Sequence, residues 1–182
     1  FLLAGLALLC VGPLLRLEQR FSDEIRLDVL DVGQGQALAL RLPGHLRLVL
    51  DGGGSASPRF DPGEALVGPA LTSNDAPRLT AVINSHPDLD HLGGLLHLLE
   101  GFATRALFHN GREAAGQLGE RWRQALHARG GAALAEGDML TVGDAALGLR
   151  LEVLHPPREG AHPRPMSLKT EFFRRNDGNA AF

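Results

Sequence analysis

The sequence predicts an α/β fold in which helices cover a sheet. Three observations carry that prediction. From residue 24 the chain reads as short strands broken by glycine turns. From residue 79 it alternates strand, loop and helix patterns. Over 182 residues, 44% hydrophobic and 21% charged content supplies an ordinary globular core. That composition excludes a disordered chain, a collagen-like chain and a small disulfide scaffold. The single cysteine, Cys10, has no cysteine to pair with and says nothing about redox compartment. The formal net charge of −3 gives no global basic excess, so any contact with nucleic acid must use a local patch.

Residues 1–15 (FLLAGLALLCVGPLL) carry no charge, and Arg16 ends the run. The run is shorter than the ~20 residues that span a bilayer. Residues 1–17 are therefore read as the end of a transmembrane helix, with a buried core helix as the alternative. A signal peptide would need a basic n-region and a small-residue cleavage site, and neither is visible. Residues 18–23 form a polar linker, and residues 24–182 form one domain. The chain opens on Phe1 and closes on Asn179-Ala180-Ala181-Phe182, so part of a larger protein is expected, with the C-terminal part of the domain missing.

Within the domain, Ile25, Leu27 and Val29 alternate with Arg26 and Asp28, which is strand periodicity. Asp31-Val32-Gly33-Gln34-Gly35-Gln36 is a glycine-punctuated turn. Residues 37–42 make a second strand, Pro43-Gly44-His45 a turn, and residues 46–50 a third strand that ends in Asp51-Gly52-Gly53-Gly54. A polar loop over 55–63 leads to a helix near 64–72. Residues 79–85 read as a buried strand that runs into His86-Pro87-Asp88-Leu89-Asp90-His91 and then an apolar helix to about Phe102. A strand is expected over 105–109 and an amphipathic helix over 112–129. In that helix Trp122, Leu118 and Leu126 face the sheet, and Arg121, Arg123 and Arg129 face solvent. Short strands return at 139–142 and 147–154. The tail, 155–178, reads as loop-rich and locally basic.

The segment 86–91 holds four metal-ligand side chains in six residues: His86, Asp88, Asp90 and His91. Their spacing is too tight for one helix face but suits a loop at a strand end. Imidazole nitrogen and carboxylate oxygen bind zinc at ~2.0–2.2 Å. A plainer reading makes Asp88 or Asp90 the N-cap of the following helix. The density of ligand-type residues favours the metal site. His45, His97, His109, His127 and His162 lack such clustering and are read as structural or solvated.

HPDLDH resembles the H-x-[HD]-x-D-H signature of the metallo-β-lactamase superfamily. With the upstream LDVLDVGQGQALAL, LVLDGGG and, at 151–157, LEVLHPP, it is similar to the metallo-β-lactamase-like domain of the DNA-internalisation competence proteins, the ComEC family. The resemblance covers about residues 22–182, and the apolar 1–15 fits the end of that family's membrane channel. It implies an αββα sandwich of which this chain holds the N-terminal part. It also implies two divalent metal ions, zinc or manganese, the first on His86 and Asp88 and the second on Asp90 and His91. Asp51 matches the family's first acid and would orient the histidines or the metal water, so Asp90 and Asp51 are the implied catalytic pair. His155 is the best candidate by spacing for a third histidine ligand; the alternative is a strand-end residue beside Pro156. Asp31 matches the aspartate of DVGQG, where capping of its own turn is at least as good a reading as chemistry.

Two departures from the family pattern stand out. Gln36 replaces an acid, and the later Gly-Asp motif and final histidine are absent, with Gly143-Asp144 no substitute. Aspartate at position 88 makes the donor set harder and tilts it toward manganese.

The resemblance implies a hydrolase of DNA phosphodiesters during natural transformation. Its partners would be DNA, the channel portion of the same protein and other competence proteins. The domain would lie on the extracytoplasmic side of the cytoplasmic membrane, anchored by a multi-pass channel. Two alternatives stay open: a non-catalytic module that guides DNA or partners, and a soluble metallo-hydrolase of another ester.

Overall fold

The structure, a computed structural model, describes residue 11 and residues 24–73, 75–143, 147–157 and 166–174. The expected transmembrane end over 1–17 and the linker over 18–23 lie outside the described residues, apart from Val11. Among the described residues, no helix is long and apolar enough to cross a membrane.

The strands are β1 (Arg26–Val29), β2 (Leu38–Leu42), β3 (Leu46–Leu50), β4 (Arg78–Asn84), β5 (Ala103–His109), β6 (Ala132–Ala133), β7 (Met139–Gly143), β8 (Leu147–His155) and β9 (Ser167–Arg174). A π-helical turn, Gly63–Val67, runs into α1 (Gly68–Thr72); α2 is Leu89–Gly101 and α3 is Gly116–Arg129. Strands β1 to β6 form one six-stranded sheet in chain order. Its first three strands are an antiparallel meander, and β3, β4, β5 and β6 run parallel. Strands β7, β8 and β9 form a second, antiparallel sheet.

Alternation along the central strands builds two cores. Val49 and Val82 face one side, where they meet Leu92, Leu95, Leu98 and Leu99 of α2 and Trp122 of α3. Leu48, Ala81 and Ile83 face the other side, where they meet Leu149, Leu151 and Val153 of the second sheet. The layers are thus helices, large sheet and small sheet, the expected αββα sandwich without its second helical layer among the described residues. Leu92, Leu95 and Leu98 are fully buried, and each such side chain contributes about 1.5–3 kcal/mol relative to exposure. The buried Arg47 of β3 donates to the carbonyls of Leu71 (3.0 Å) and Ala76 (2.6 Å), fastening the α1–β4 connection.

Parallel register places the functional loops together. Leu50 pairs with Ile83, and Asn84 pairs with His109. The residues that leave the carboxyl ends of β3, β4 and β5 therefore sit side by side, where open parallel sheets bind ligands.

Several expectations need correction. The helix expected over 112–129 starts at Gly116, because Asn110 Oδ1 accepts the Arg112 amide (3.1 Å) and offers the backbone a turn instead. The tail expected to be loop-rich contains β9. There Leu168 packs inward, while Lys169 pairs with Glu171 (2.8 Å) and Glu152 (3.6 Å). These charges disguise a strand as a basic loop. Arg129, expected in solvent, donates to the Leu99 carbonyl and ties α3 to α2. In β1, Leu27 and Val29 point outward, 60% and 75% exposed, and Ile25 and Leu30 make the inward contacts.

Candidate metal centre

The site is built around Asp51, the residue that leaves β3. Its carboxylate is fully buried, and its φ of +58° lies in the left-handed region, which costs most side chains ~1–2 kcal/mol. A buried carboxylate must have its lone pairs satisfied. Oδ1 accepts from the Ser85 amide (2.7 Å) and from Asn84 Nδ2 (3.3 Å). Oδ2 accepts from Ser85 Oγ (2.5 Å) and from His91 Nδ1 (2.8 Å). Both oxygens are thereby engaged with the β4 end and with α2, which suits an orienting role.

His86 and His91 lie against each other, ring centroids 3.9 Å apart and planes inclined by 48°. Ser85 Oγ lies 2.9 Å from His86 Nδ1. The Nδ1 atoms are thus both engaged on the buried side. The Nε2 atoms face the two remaining acids: His86 Nε2 is 3.4 Å from Asp88 Oδ2, and His91 Nε2 is 3.8 Å from Asp90 Oδ2. Asp88 and Asp90 are open to solvent, 58% and 37% exposed. Asp88 occupies the N-cap position of α2 yet makes no capping bond with its side chain. The plainer reading of that residue therefore lacks its defining contact.

Electrostatics separates the two histidines. Burial, reinforced by neighbouring His91, pushes the His86 imidazole below its ordinary pKa, against the pull of Asp88, Asp51 and Asp90. The hydrogen bond to Asp51 raises His91, against burial and with further help from the Asp51, Asp90 and Asp88 charges.

Two glycine-rich loops hold the ligand segment in place. The Gln36 amide donates to the Asp90 carbonyl (3.3 Å), Gly52 to that of His91 (2.8 Å) and Gly53 to that of Gln36 (2.8 Å). At Gly35, φ is +97°, and a Cβ would stand 1.7 Å from the Asp90 carbonyl oxygen. Only glycine lets the turn approach this closely. Asp31 accepts the Gly33 amide (3.1 Å), so its side chain caps its own turn.

The chemistry of the donor set fits a divalent metal. Asp51, His86 and His91 each bring a ligand-type atom within 4.8 Å of the others, and Asp88 and Asp90 flank the two Nε2 atoms. Imidazole and carboxylate together suit zinc or manganese. His155 ends β8 in the second sheet, opposite Ser167, and is outside that group of three. The residue that leads into β9 does touch the site: the Met166 amide donates to the Ser85 carbonyl (2.8 Å).

Ser85 and Asn84 were not legible as site residues. One signal could have found them: two polar side chains end an otherwise apolar buried strand, and they are 4% and 0% exposed. Buried polar groups need partners, and here the partner is Asp51.

A helix layer on a mixed sheet, a second sheet behind it and a histidine–aspartate cluster at the carboxyl strand ends define an α/β sandwich with a candidate metal site at its strand ends. A family model described as the metallo-β-lactamase superfamily matches residues 30–172, and the chain belongs to that superfamily. ComE operon protein 3 of Bacillus subtilis (strain 168) is similar, with 29% identity over 148 residues, 74% of this chain and 19% of that protein. The chain thus spans about a fifth of the length of that relative. Among solved structures, a flavo di-iron protein from Thermotoga maritima aligns at TM-score 0.51 and 18% identity, over 77% of this chain and 32% of its own. The metallo-β-lactamase SMB-1 aligns at TM-score 0.50 and 12% identity, over 84% and 62%. These two likenesses concern the fold.

Proposed function

We propose that this domain is a metal-dependent phosphodiesterase that hydrolyses DNA at a membrane uptake channel. The observation that carries the reading is the paired imidazoles. Both anchor Nδ1 on the buried Asp51–Ser85 side and direct Nε2 toward Asp88 and Asp90. His86 with Asp88 and His91 with Asp90 would hold the ions, zinc or manganese. A bound divalent metal supplies Lewis acidity toward water and toward a phosphoryl oxygen. The chain's own residues do the rest. Asp51 holds the His91 ring in place, the Gln36 and Gly52 amides fix the ligand backbone, and the exposure of Asp88 and Asp90 leaves room for a polymer to approach.

The DNA assignment rests on the resemblance of the DVGQG and HPDLDH segments to the DNA-internalisation competence proteins, and the similarity to ComE operon protein 3 supports it. It agrees with a location on the extracytoplasmic side of the cytoplasmic membrane, beside a channel portion of the same protein and other competence proteins. The pairing of Lys169 with Glu171 and Glu152 removes one free cation from the locally basic tail. Arg158, Arg164 and Arg175 of that tail lie outside the described residues.

The test is a nuclease assay on the full protein with linear DNA. Cleavage that needs manganese or zinc, stops on chelation and is lost in Asp90→Ala supports the reading. No cleavage, with DNA uptake intact in Asp90→Ala, would leave a DNA-guiding module. Turnover of lactones or thioesters instead of DNA would make it a hydrolase of another ester.

A further inference from the structure

We infer that Ser85 is a positioning residue that sets the tautomer of His86. The inference deepens the metal-centre reading and rests on it for its consequence, though not for its geometry. Ser85 Oγ lies between Asp51 Oδ2 (2.5 Å) and His86 Nδ1 (2.9 Å). A serine hydroxyl has one proton to donate, whereas an ionised carboxylate only accepts. The short contact with Asp51 therefore takes the hydroxyl proton, and Oγ is left as an acceptor toward His86. In a neutral ring, Nδ1 must then carry the proton, and Nε2 keeps the free lone pair. His91 reaches the same state directly, because its Nδ1 lies 2.8 Å from the same carboxylate oxygen.

One buried acid thus orders both imidazoles, one by contact and one through a hydroxyl relay. The relay is needed because Asp51 makes its direct ring contact with His91, while the His86 ring contacts Ser85. Ser85 is itself well placed to stay fixed. It is 4% exposed, its amide donates to Asp51 Oδ1, and its carbonyl accepts from the amide of Met166, the residue just before β9. A free histidine favours the opposite tautomer, with the proton on Nε2, which would block the lone pair that faces Asp88. Partners of this kind are worth ~10–100-fold in metal affinity where they have been removed from metal-ligating histidines.

The experiment is long-range proton–nitrogen correlation on the metal-free protein with ¹⁵N-labelled histidine, recorded where the rings are neutral. The wild-type chain should show His86 protonated on Nδ1, and this readout needs no variant to fold. Ser85→Ala should move His86 toward the Nε2-protonated form and weaken manganese binding by roughly 10-fold or more, while Ser85→Thr keeps the hydroxyl and should restore both. An Nε2-protonated His86 in the wild-type chain, or an unchanged Nδ1-protonated ring in folded Ser85→Ala, would overturn the relay even if metal binds. An Nδ1-protonated His86 in a wild-type chain that takes up no metal would uphold the relay and sink the metal reading instead.

Discussion

Replacing Gly35 by alanine tests how the turn at 31–36 serves the ligand segment, and Gly33 supplies the internal control. Both glycines have positive φ, +97° and +78°, and a left-handed conformation costs an alanine ~1–2 kcal/mol. They differ in what a new Cβ would meet. At Gly33 nothing lies within 4 Å, whereas at Gly35 the Asp90 carbonyl oxygen would be 1.7 Å away and its Cβ 2.9 Å away. To reach ordinary van der Waals separation the Asp90 peptide must retreat by roughly 1.7 Å. Overpacking of that kind adds about 1–3 kcal/mol. Gly33→Ala should therefore lose about 1 kcal/mol in urea unfolding, and Gly35→Ala about 3 kcal/mol. The larger effect should be on function. A shift of this size at Asp90 is comparable to the ~1 Å misplacement that costs about 100-fold in rate, so metal binding and any hydrolysis should fall in Gly35→Ala and persist in Gly33→Ala. Equal stability losses in the two variants, with metal affinity retained in both, would refute the claim that this turn positions Asp90.

Further outcomes follow from the same contacts. Asp51→Asn keeps the shape but presents an amide where Ser85 Oγ and His91 Nδ1 both donate to Oδ2; thermal unfolding should reveal a loss of about 2–4 kcal/mol, since each hydrogen bond to a charged group is worth ~1.5–3 kcal/mol. Arg47→Met leaves the Leu71 and Ala76 carbonyls without their donor, and chemical denaturation should register a loss of roughly 2–4 kcal/mol. His109 lies edge-on to Trp122 at 6.1 Å, and burial lowers its pKa from the ordinary 6.5. Between its folded pKa and 6.5 the unfolded chain binds more protons, so stability should rise with pH through that window and be fully present above it. His109→Asn should remove that share of the pH dependence, measured as the difference between wild-type and variant stability profiles. An unchanged profile would show that the ring is not buried as described.

The legible parts of this protein were those written in local pattern. Strands β4 and β5 and helix α2 follow from short apolar runs and a long one, and the ligand segment 86–91 stands out because four donor residues crowd one strand end. Other parts depended on partners far along the chain. Strand β9 was hidden because Lys169 and Glu171 read as a charged loop until each is seen paired across or along the sheet. Leu27 and Val29 mimic a core stripe in an edge strand, although their side chains face outward. Ser85 carries no motif of its own; its role exists only because the β3–β4 register brings Asp51 beside it. The start of α3 is not written in local pattern, because a side-chain turn at Asn110 competes with helix propensity. His155 lies at the end of β8, and the group formed by Asp51, His86 and His91 does not include it.

The most direct measurement is the metal content of the purified full protein, read by elemental mass spectrometry after reconstitution with manganese or zinc, beside Asp90→Ala and His91→Ala. The account predicts tightly held divalent metal in the wild-type chain and a clear loss in both variants. A wild-type chain that retains no divalent metal, while its histidines and acids remain folded as described, would contradict the central claim that this cluster is a metal centre.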